Sequence, residues 1–259
     1  MSTLLEVRDV TVRFHRGRTR VTAVDAVDLE LRRGEILGLV GESGCGKSTL
    51  ARAIAGAQPV DAGTIRLDGE PLGGRRSPRQ RRAVQMVFQD PYAALNPALR
   101  IGPMLVELLR VHRLAPRGRE QHRAAELLAA VGIGPAYLTA WPHSLSGGQR
   151  QRINIARALA LEPELLIADE AVSALDASVQ ASVVNLLLEL RERLGLSILF
   201  ISHNLAVVRQ IADRIAVMHA GRIVETGEAD LVFAEPGHAY TRELLAAIPR
   251  LRTDREEHR

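Results

Sequence analysis

The sequence predicts an α/β fold with a mainly parallel sheet, an antiparallel β layer near the N-terminus and an inserted helical lobe. Short apolar runs alternate with helical periodicities, which is typical of a parallel α/β sheet. Two early segments alternate apolar and polar residues, as strands with one solvated face do. From about 96 to 144, helical periodicities continue without a β-rich run. With 259 residues, 46% of them apolar, the chain can bury a full core as one domain.

The elements are predicted in chain order from these patterns. Segments 4–14 and 21–31 form the antiparallel layer, and buried strands follow at 35–40, 83–88, 164–169 and 197–202. Helices are predicted at 50–55, 145–161 and 177–194, and two helix faces at 105–109 and 124–131 define the helical lobe. Ala220-Gly221 joins two strands as a hairpin turn. We expect an α/β core of 1–95 and 145–235, a helical subdomain of about 96–144, and a short tail of 236–259 that frays after Pro249.

The most informative segment is Gly41-Glu42-Ser43-Gly44-Cys45-Gly46-Lys47-Ser48-Thr49, because Lys47 is the one lysine among 34 Lys and Arg residues. Its spacing is that of the P-loop, in which backbone N–H groups surround phosphates and Ser48 offers its hydroxyl to Mg²⁺. The predicted strand before it and helix after it aim a helix N-terminus at the anion. A glycine-rich turn with a stray lysine is the alternative, and it does not explain this context. The segment predicts binding of a nucleoside triphosphate.

Cysteine usage and hydropathy limit the cofactors and the cellular location. The single cysteine, Cys45, excludes a disulfide framework and a cysteine-ligated cluster, which suits a reducing cytosol. Cys45 itself is either a small filler in the loop or a redox-sensitive thiol beside Lys47. No stretch approaches 18 apolar residues without a charge, and the N-terminus lacks a signal-peptide pattern. We therefore expect a cytoplasmic protein.

The net charge of +4 raises the question of a nucleic-acid partner. The densest basic run is Arg75-Arg76-Ser77-Pro78-Arg79-Gln80-Arg81-Arg82, and it contains no aromatic residues that could stack on bases. An arginine-rich solvated face explains it better, and attraction to an anionic membrane surface is a weaker alternative. We predict no nucleic-acid partner.

A second motif, Leu145-Ser146-Gly147-Gly148-Gln149, opens the helix predicted at 145–161. Ser146 and Gln149 have the spacing of a capping box, so the segment could simply begin a helix. A capping box does not need two adjacent glycines, which cost backbone entropy. Two glycines expose N–H groups at a helix N-terminus and so create a second anion site. One nucleotide in one small domain does not need two such sites, but two copies arranged head-to-tail do.

These motifs, taken together, resemble those of ABC-transporter ATPase subunits over essentially the whole chain. Gly41 to Thr49 is similar to Walker A, Gln89 to the Q-loop, and Leu145 to Gln149 to the signature motif. Leu165 to Asp169 with Glu170 resembles Walker B, Ser173-Ala174-Leu175-Asp176 the D-loop, and His203 the switch histidine. The resemblance implies an ABC-type P-loop NTPase fold that binds and hydrolyses ATP with Mg²⁺.

The resemblance also implies roles for residues at the strand ends. Asp169 would hold Mg²⁺ together with Ser48 and Gln89, and Gln89 would also sense the γ-phosphate. Glu170 is the candidate general base; on its own, an Asp-Glu pair could be a solvated turn. His203 would hydrogen-bond the γ-phosphate, although a lone histidine after a strand is more often a structural cap.

Other roles lie at the dimer interface and at the adenine. The signature residues would contact the ATP of the partner subunit, and Asp176 would reach across the interface. Phe14 is the expected stacking residue for adenine, with His15 as the rival.

Two further stretches narrow the resemblance to the oligopeptide, dipeptide and nickel importer ATPases. They are Val87-Phe88-Gln89-Asp90-Pro91-Tyr92-Ala93-Ala94-Leu95-Asn96-Pro97 and Pro236-Gly237-His238-Ala239-Tyr240-Thr241-Arg242-Glu243-Leu244-Leu245. Ala171 stands where many members have proline, so peptide and metal chelates both stay open as substrates. The chain ends soon after Pro249 and lacks the cysteines that ligate an iron–sulfur cluster in some relatives, so no iron–sulfur cluster is expected.

The implied function is that of a peripheral ATPase at the cytoplasmic face of the cell membrane, which powers import of peptides or nickel chelates. Such importers use two transmembrane permease subunits, a second ATPase subunit that is identical or similar, and an extracytoplasmic substrate-binding protein. An efflux-pump ATPase is one alternative. A soluble ABC ATPase acting on ribosomes or DNA is another, but those usually carry two cassettes or a coiled-coil or zinc insertion, which this sequence lacks.

Overall fold

Two sheets form the framework of the chain. The computed structural model describes residues 2–16, 19–88, 90, 94–173 and 175–247. The strands are β1 (Thr3–Arg16), β2 (Thr19–Arg32), β3 (Ile36–Val40), β4 (Ala62–Leu67), β5 (Glu70–Pro71), β6 (Val84–Val87), β7 (Leu165–Asp169), β8 (Ser197–Ile201), β9 (Arg214–His219) and β10 (Arg222–Glu228). One sheet has the order β2-β1-β4-β5 and the other β10-β9-β3-β8-β7-β6. The predicted α/β class with an antiparallel layer is confirmed.

The four-stranded sheet is antiparallel, as the alternating pattern predicted. β1 pairs with β2 and with β4, and its inward-facing residues Leu5, Val7, Val10 and Val12 are fully buried. Alternation of this kind buries one face and leaves the other to water. β4 and β5 were not predicted from the sequence.

The six-stranded sheet is parallel from β6 through β7, β8 and β3 to β9, and only β10 runs antiparallel. Every residue of β3, β7 and β8 is buried. Strands that are covered on both faces have continuous apolar sequences, which is why these three were recognisable. Since parallel strands end at the same edge, the segments that follow β3, β7 and β8 meet there. That edge contains Lys47, Asp169, Glu170 and His203.

Helices cover the parallel sheet and form the inserted lobe. They are α1 (Lys47–Ala55), α2 (Pro78–Ala83), α3 (Ile101–His112), α4 (Glu120–Ala130), α5 (Gly147–Leu159), α6 (Ala177–Leu194), α7 (Leu205–Ile211), α8 (Ala229–Ala234) and α9 (Ala239–Ala246). The predicted helix at 177–194 agrees with α6, and the helix predicted at 145–161 corresponds to α5. The short helices α2, α7, α8 and α9 were not predicted.

The helical lobe consists of α3, α4 and two short 3-10 turns at Pro135–Thr139 and Pro142–Ser144. Its predicted faces are correct, because Leu105, Leu109, Ala124 and Leu128 are fully buried. They belong to the same apolar cluster as residues of α5, β7 and β8. The lobe is therefore packed on the core of the chain, while the domain boundaries given above remain a prediction.

The basic run at 75–82 corrects one expectation. Ser77 caps α2, and Arg75, Arg79 and Arg81 are exposed, but Arg76 is only 8% exposed. Its Nη2 donates to the carbonyl of Ala53 at the C-terminal end of α1, at 3.0 Å. Burial lowers the pKa of the Arg76 guanidinium. The solvated-face interpretation is therefore wrong for Arg76, which fastens this segment to the helix that begins at Lys47.

Within the described ranges, none of the helices has the length and apolar character needed to cross a membrane. The end of the tail predicted to fray, after Pro249, lies outside the described residues.

Candidate active site

The predicted phosphate-binding segment Gly41 to Thr49, called the phosphate loop below, follows β3, leads into α1 and is held tightly by its neighbours. Gly41 has a φ of +149° and Gly46 a φ of +114°, a region that favours glycine. A Cβ on Gly41 would lie 2.1 Å from the carbonyl oxygen of Met218, and one on Gly46 would lie 2.2 Å from that of Ala23. Both glycines are therefore required by close backbone approach, on one side to β9 and on the other to β2.

Lys47 is 4% exposed and points its ammonium into this loop. Its Nζ donates to the carbonyl oxygens of Gly41 at 2.8 Å and Glu42 at 2.7 Å, and it lies 3.7 Å from the Sγ of Cys45. Cys45 is buried and packs in the apolar cluster of the antiparallel layer, as a small filler would. The redox role of Cys45 remains a hypothesis. The loop thus presents one fixed positive charge beside its backbone N–H groups.

Ser48 and Asp169, the predicted magnesium ligands, place two side-chain oxygen atoms next to each other at the end of β7. The Ser48 hydroxyl donates to Oδ1 of Asp169 at 2.9 Å, and Asp169 is 6% exposed at the end of β7. Burial raises the pKa of Asp169, against the hydrogen bond from Ser48 and the positive charges of Arg52 and Lys47. A carboxylate and a hydroxyl are hard oxygen donors, and a carboxylate disfavoured by burial gains from a cation. The pair therefore fits Mg²⁺.

Glu170 is held in a conformation that glutamate rarely adopts, with a φ of +49°. Its N–H donates to the carbonyl of Ile201 at 2.9 Å, and its carbonyl accepts hydrogen bonds from the N–H and hydroxyl of Ser173 at 3.1 and 2.9 Å. Its Oε2 lies 3.3 Å from Nδ1 of His203, which follows β8. The Glu170 side chain is 19% exposed and that of His203 56%. The structure thus brings the predicted base and the predicted switch histidine into contact at the edge where the loop lies.

The signature segment begins α5 with the predicted capping box. Ser146 Oγ accepts from the N–H of Gln149 at 3.3 Å, and Gln149 Oε1 accepts from the N–H of Ser146 at 3.0 Å. A Cβ on Gly148 would lie 2.4 Å from Cγ1 of Val179 on α6. Gly148 is therefore needed for packing α5 against α6, a reason that the sequence did not reveal. Among the described residues, no hydrogen bond joins the signature segment to the phosphate loop.

Of the remaining predicted site residues, Asp176 and Phe14 are described by the structure and Gln89 is not. Asp176 is exposed and caps α6, where Oδ1 accepts from the N–H of Val179 at 3.0 Å and from the Ser178 hydroxyl at 2.7 Å. Those hydrogen bonds hold the pKa of Asp176 below its usual range. Phe14 is 41% exposed on β1. Gln89, Pro91 to Ala93 and Ala174 lie outside the described residues, and so does the side chain of His15.

Phe14 is connected to the phosphate loop through strand β2. Its partner in the β1–β2 register is Val21, and Ala23, two residues further along β2, is the residue that approaches Gly46. This placement is compatible with an adenine ring beside the loop.

One residue at the site was missed by sequence reasoning. The hydroxyl oxygen of Tyr240, at the start of α9, accepts a hydrogen bond from the backbone N–H of Glu42 at 3.1 Å. The two residues are 198 positions apart, so no local pattern could have revealed the contact.

Comparison with known proteins agrees with this geometry. The family described as ABC transporter matches residues 24–173. The oligopeptide transport ATP-binding protein OppF of Bacillus subtilis (strain 168) is 47% identical over 261 residues, which cover 99% of this chain and 86% of that protein.

Two solved structures are similar in fold. One is cbiO1 from Clostridium perfringens, part of the ABC transporter complex cbiONQ, with a TM-score of 0.81 and 30% identity over 91% of this chain and 92% of that one. The other is the dimeric ATP-binding cassette MJ0796 in a post-hydrolysis state bound to ADP and Pi, with a TM-score of 0.76 and 27% identity over 87% of this chain and 99% of that one.

Proposed function

Since this chain belongs to the ABC transporter family of ATP-binding proteins, we propose that it is the ATP-hydrolysing subunit that powers a peptide importer. The observation that carries the proposal is the nearly full-length similarity to a protein named for oligopeptide transport, at 47% identity. Peptides are favoured over nickel chelates for the same reason. The geometry at the ends of β3, β7 and β8 supports the part of the proposal that concerns ATP hydrolysis.

The phosphate loop would bind the triphosphate. The Lys47 ammonium would contact the β- and γ-phosphate oxygens, and backbone N–H groups of residues 44–49 would donate to them at the N-terminus of α1. Gly41 and Gly46, where a Cβ would clash with neighbouring backbone carbonyls, allow the loop to keep its observed conformation. Phe14, exposed on β1, would stack on the adenine.

Ser48 and Asp169 would hold Mg²⁺ through the hydroxyl and the carboxylate oxygens that lie 2.9 Å apart. Gln89, which lies outside the described residues, is proposed as the third ligand. Bound there, Mg²⁺ would neutralise charge on the phosphate oxygens.

Glu170 would act as general base. Its carboxylate would take a proton from the attacking water while the water oxygen forms a bond to the γ-phosphorus and the bond to the ADP oxygen breaks. His203, whose Nδ1 lies 3.3 Å from the Glu170 carboxylate, would hold the γ-phosphate and the water in line. The products are ADP and phosphate, and the proton on Glu170 returns to solvent.

A second ATPase subunit would complete each site. No hydrogen bond joins the signature residues Leu145 to Gln149 to the phosphate loop of the same chain among the described residues, which supports a role toward a partner's ATP. Asp176 is exposed at the start of α6, as a residue that reaches across an interface must be. The similarity to a cassette solved as a dimer supports the same arrangement. The partner would be a second copy or a similar chain.

The importer would also contain two permease subunits and an extracytoplasmic binding protein, with this chain peripheral at the cytoplasmic face of the membrane. Binding of ATP would draw the two ATPase subunits together and hydrolysis would release them. Gln89 and the helical lobe of about 96–144 would pass that motion to the permeases.

A tagged pull-down from detergent-solubilised membranes with ATP tests the proposal. We expect two permeases among the co-purifying proteins, with a binding protein whose thermal unfolding is shifted upward by peptides. A Lys47→Ala variant serves as the control for ATP-dependent assembly. Recovery of permeases without a binding protein would favour efflux. A binding protein whose thermal unfolding is shifted by nickel chelates would make nickel chelates, and not peptides, the substrate. Recovery with ribosomal or DNA-bound proteins would refute the transport function.

A further inference from the structure

We propose that the C-terminal segment 236–246 positions the phosphate loop, and that Tyr240 is the residue through which it acts. The inference rests on the proposed role of the Gly41–Thr49 loop in holding ATP phosphates. Its starting point is the hydrogen bond in which the Tyr240 hydroxyl oxygen accepts from the N–H of Glu42 at 3.1 Å. Tyr240 itself is buried, at 8% exposed, and the hydrogen bond is partly buried.

Glu42 is the residue that connects Tyr240 to Lys47. Its N–H donates to the Tyr240 hydroxyl, and its carbonyl accepts from the Lys47 Nζ at 2.7 Å. The backbone of one residue is therefore held from both sides. Because the lysine amine takes its position from the carbonyls of Gly41 and Glu42, a shift of Glu42 would move the charge that meets the phosphates.

The tyrosine ring is itself fixed in place. It packs on the ring of His219 at the end of β9, with centroids 3.9 Å apart and an angle of 37° between the planes. The neighbouring Met218 carbonyl is the group against which Gly41 packs. In addition, the N–H of Gly221 donates to the carbonyl of Cys45 at 2.9 Å. Tyr240 thus adds a side-chain contact to a loop that the β9–β10 hairpin already supports through its backbone.

The segment before Tyr240 is built to deliver it. The Glu225 carboxylate on β10 accepts hydrogen bonds from the N–H of Gly237 at 2.7 Å and of His238 at 3.0 Å. His238 then caps α9, because its Nδ1 accepts from the N–H of Tyr240 at 3.2 Å. These bonds form one connected path from β10 through the turn to the phosphate loop.

The hydroxyl of Tyr240 should therefore contribute to ATP affinity rather than to the chemical step. Phosphate contacts made by the loop exist both before and during phosphoryl transfer, and loss of such uniform binding raises KM while leaving kcat unchanged. Tyr240→Phe keeps the ring on His219 and removes only the acceptor for the Glu42 N–H. The expected rise in KM for ATP is about fivefold, the factor that one ordinary hydrogen bond represents.

Ser197→Ala provides the matched control. The Ser197 hydroxyl also accepts from a backbone N–H, that of Gly34 at 2.9 Å, but at the opposite edge of the parallel sheet. Ser197 is 1% exposed, so the two variants remove the same kind of bond from similarly buried places. Both should lower the midpoint of thermal unfolding, whereas only Tyr240→Phe should alter ATP affinity.

The test measures KM and kcat for ATP hydrolysis, and the Kd for ADP, on the full chain and on the Tyr240→Phe, Ser197→Ala and Lys47→Ala variants. We expect the KM for ATP and the Kd for ADP to rise about fivefold in Tyr240→Phe and to stay unchanged in Ser197→Ala. In Tyr240→Phe, kcat should remain within about twofold of the wild type. Equal KM values in Tyr240→Phe and Ser197→Ala, or a loss confined to kcat, would overturn the inference while Lys47→Ala still abolishes binding. Unchanged nucleotide binding in Lys47→Ala would instead overturn the proposed role of the loop and, with it, this inference.

Discussion

The backbone of Glu170 allows a sharp test of whether function is retained here at the expense of stability. The residue has a φ of +49°, in the left-handed region. Glycine enters this region without steric cost, whereas other residues lose about 1–2 kcal/mol there. Strain of this kind is characteristic of functional sites. We compare Glu170→Gly with Glu170→Ala, because both variants lack the carboxylate and its contact with His203.

The expected difference follows from two opposing effects. Relief of the left-handed strain favours glycine over alanine by about 1–2 kcal/mol, and the larger backbone entropy of the unfolded glycine chain disfavours it by about 0.5–1 kcal/mol. Glu170→Gly should therefore be more stable than Glu170→Ala by up to about 1.5 kcal/mol. Ala181 is a solvent-exposed position away from the ends of α6, and there alanine should be more stable than glycine. We expect Ala181→Gly to be about 1 kcal/mol less stable than the wild type.

Urea unfolding of the wild type, Glu170→Gly, Glu170→Ala and Ala181→Gly measures these differences, and ATP turnover is measured on the same samples and on Glu170→Gln. Both Glu170 variants, and Glu170→Gln, should lose about 10²–10⁴-fold in kcat if the carboxylate is the general base. Glu170→Gln should also retain ATP and accumulate as the closed dimer. A Glu170→Gly protein less stable than Glu170→Ala would refute the strain, and normal turnover in Glu170→Gln would refute the assignment of the base.

Three other substitutions test the rest of the site. Asp169→Asn should be more stable than the wild type at pH 7, because burial raises the pKa of Asp169 and so makes its ionised form unfavourable. The difference should vanish as the pH falls below the ordinary aspartate value of 3.8, and ATP binding should become less dependent on Mg²⁺. Gly148→Ala should cost about 1–3 kcal/mol in thermal unfolding by overpacking on Val179, and the double variant with Val179→Ala should recover most of it. Phe14→Ala should weaken the binding of ADP by about 1–3 kcal/mol without weakening the binding of pyrophosphate, if the ring stacks on adenine.

The parallel core was predictable because its strands are buried on both faces. In β3, β7 and β8, eleven of the fifteen residues are branched aliphatic residues or alanine, and the bounds agree with the prediction within one residue. β4 was missed because only Ile65 and Leu67 of its six residues are buried, so its pattern is too short to recognise. The four short helices were missed for a similar reason, since each offers at most about two turns of periodicity.

At the site, the sequence predicted residue types better than contacts. Local spacing indicates a loop that needs Gly41 and Gly46, since the P-loop pattern specifies glycines at those positions. Three other features depend on residues that are distant in the chain: the packing of Gly148 on Val179, the burial of Arg76 against α1, and the hydroxyl of Tyr240 on the loop. Nothing in a linear pattern distinguishes an arginine that caps a helix from one that faces water. Such contacts follow from topology, which brings β9, β10 and α9 beside β3.

The charged residues at the two edges of the parallel sheet differ in how well they are paired. We infer that this difference allows the strained backbone of Glu170 to be tolerated. At the amino edge, Glu35 is 3% exposed and pairs with Arg214 at 3.1 Å, while Asp213 accepts from the Ile36 N–H at 2.8 Å and from Arg191 at 3.0 Å. Glu35 is buried, whereas the side chains of Arg191 and Asp213 are 26% and 36% exposed, and each of these charges has a partner of opposite sign.

The carboxyl edge has the reverse character. Asp169 is buried with a raised pKa, Glu170 has a left-handed backbone, and Lys47 is held by carbonyl oxygens rather than by a carboxylate. The buried carboxylate of Asp169 favours a bound cation, and the fixed ammonium of Lys47 favours a bound polyanion, while the backbone of Glu170 adds local strain. The same strands connect the two edges, so well-satisfied charges at one end can hold a strained, ligand-dependent arrangement at the other. Substitutions at the amino edge should then lower stability without altering nucleotide affinity, which is the distinction that Ser197→Ala and Tyr240→Phe measure.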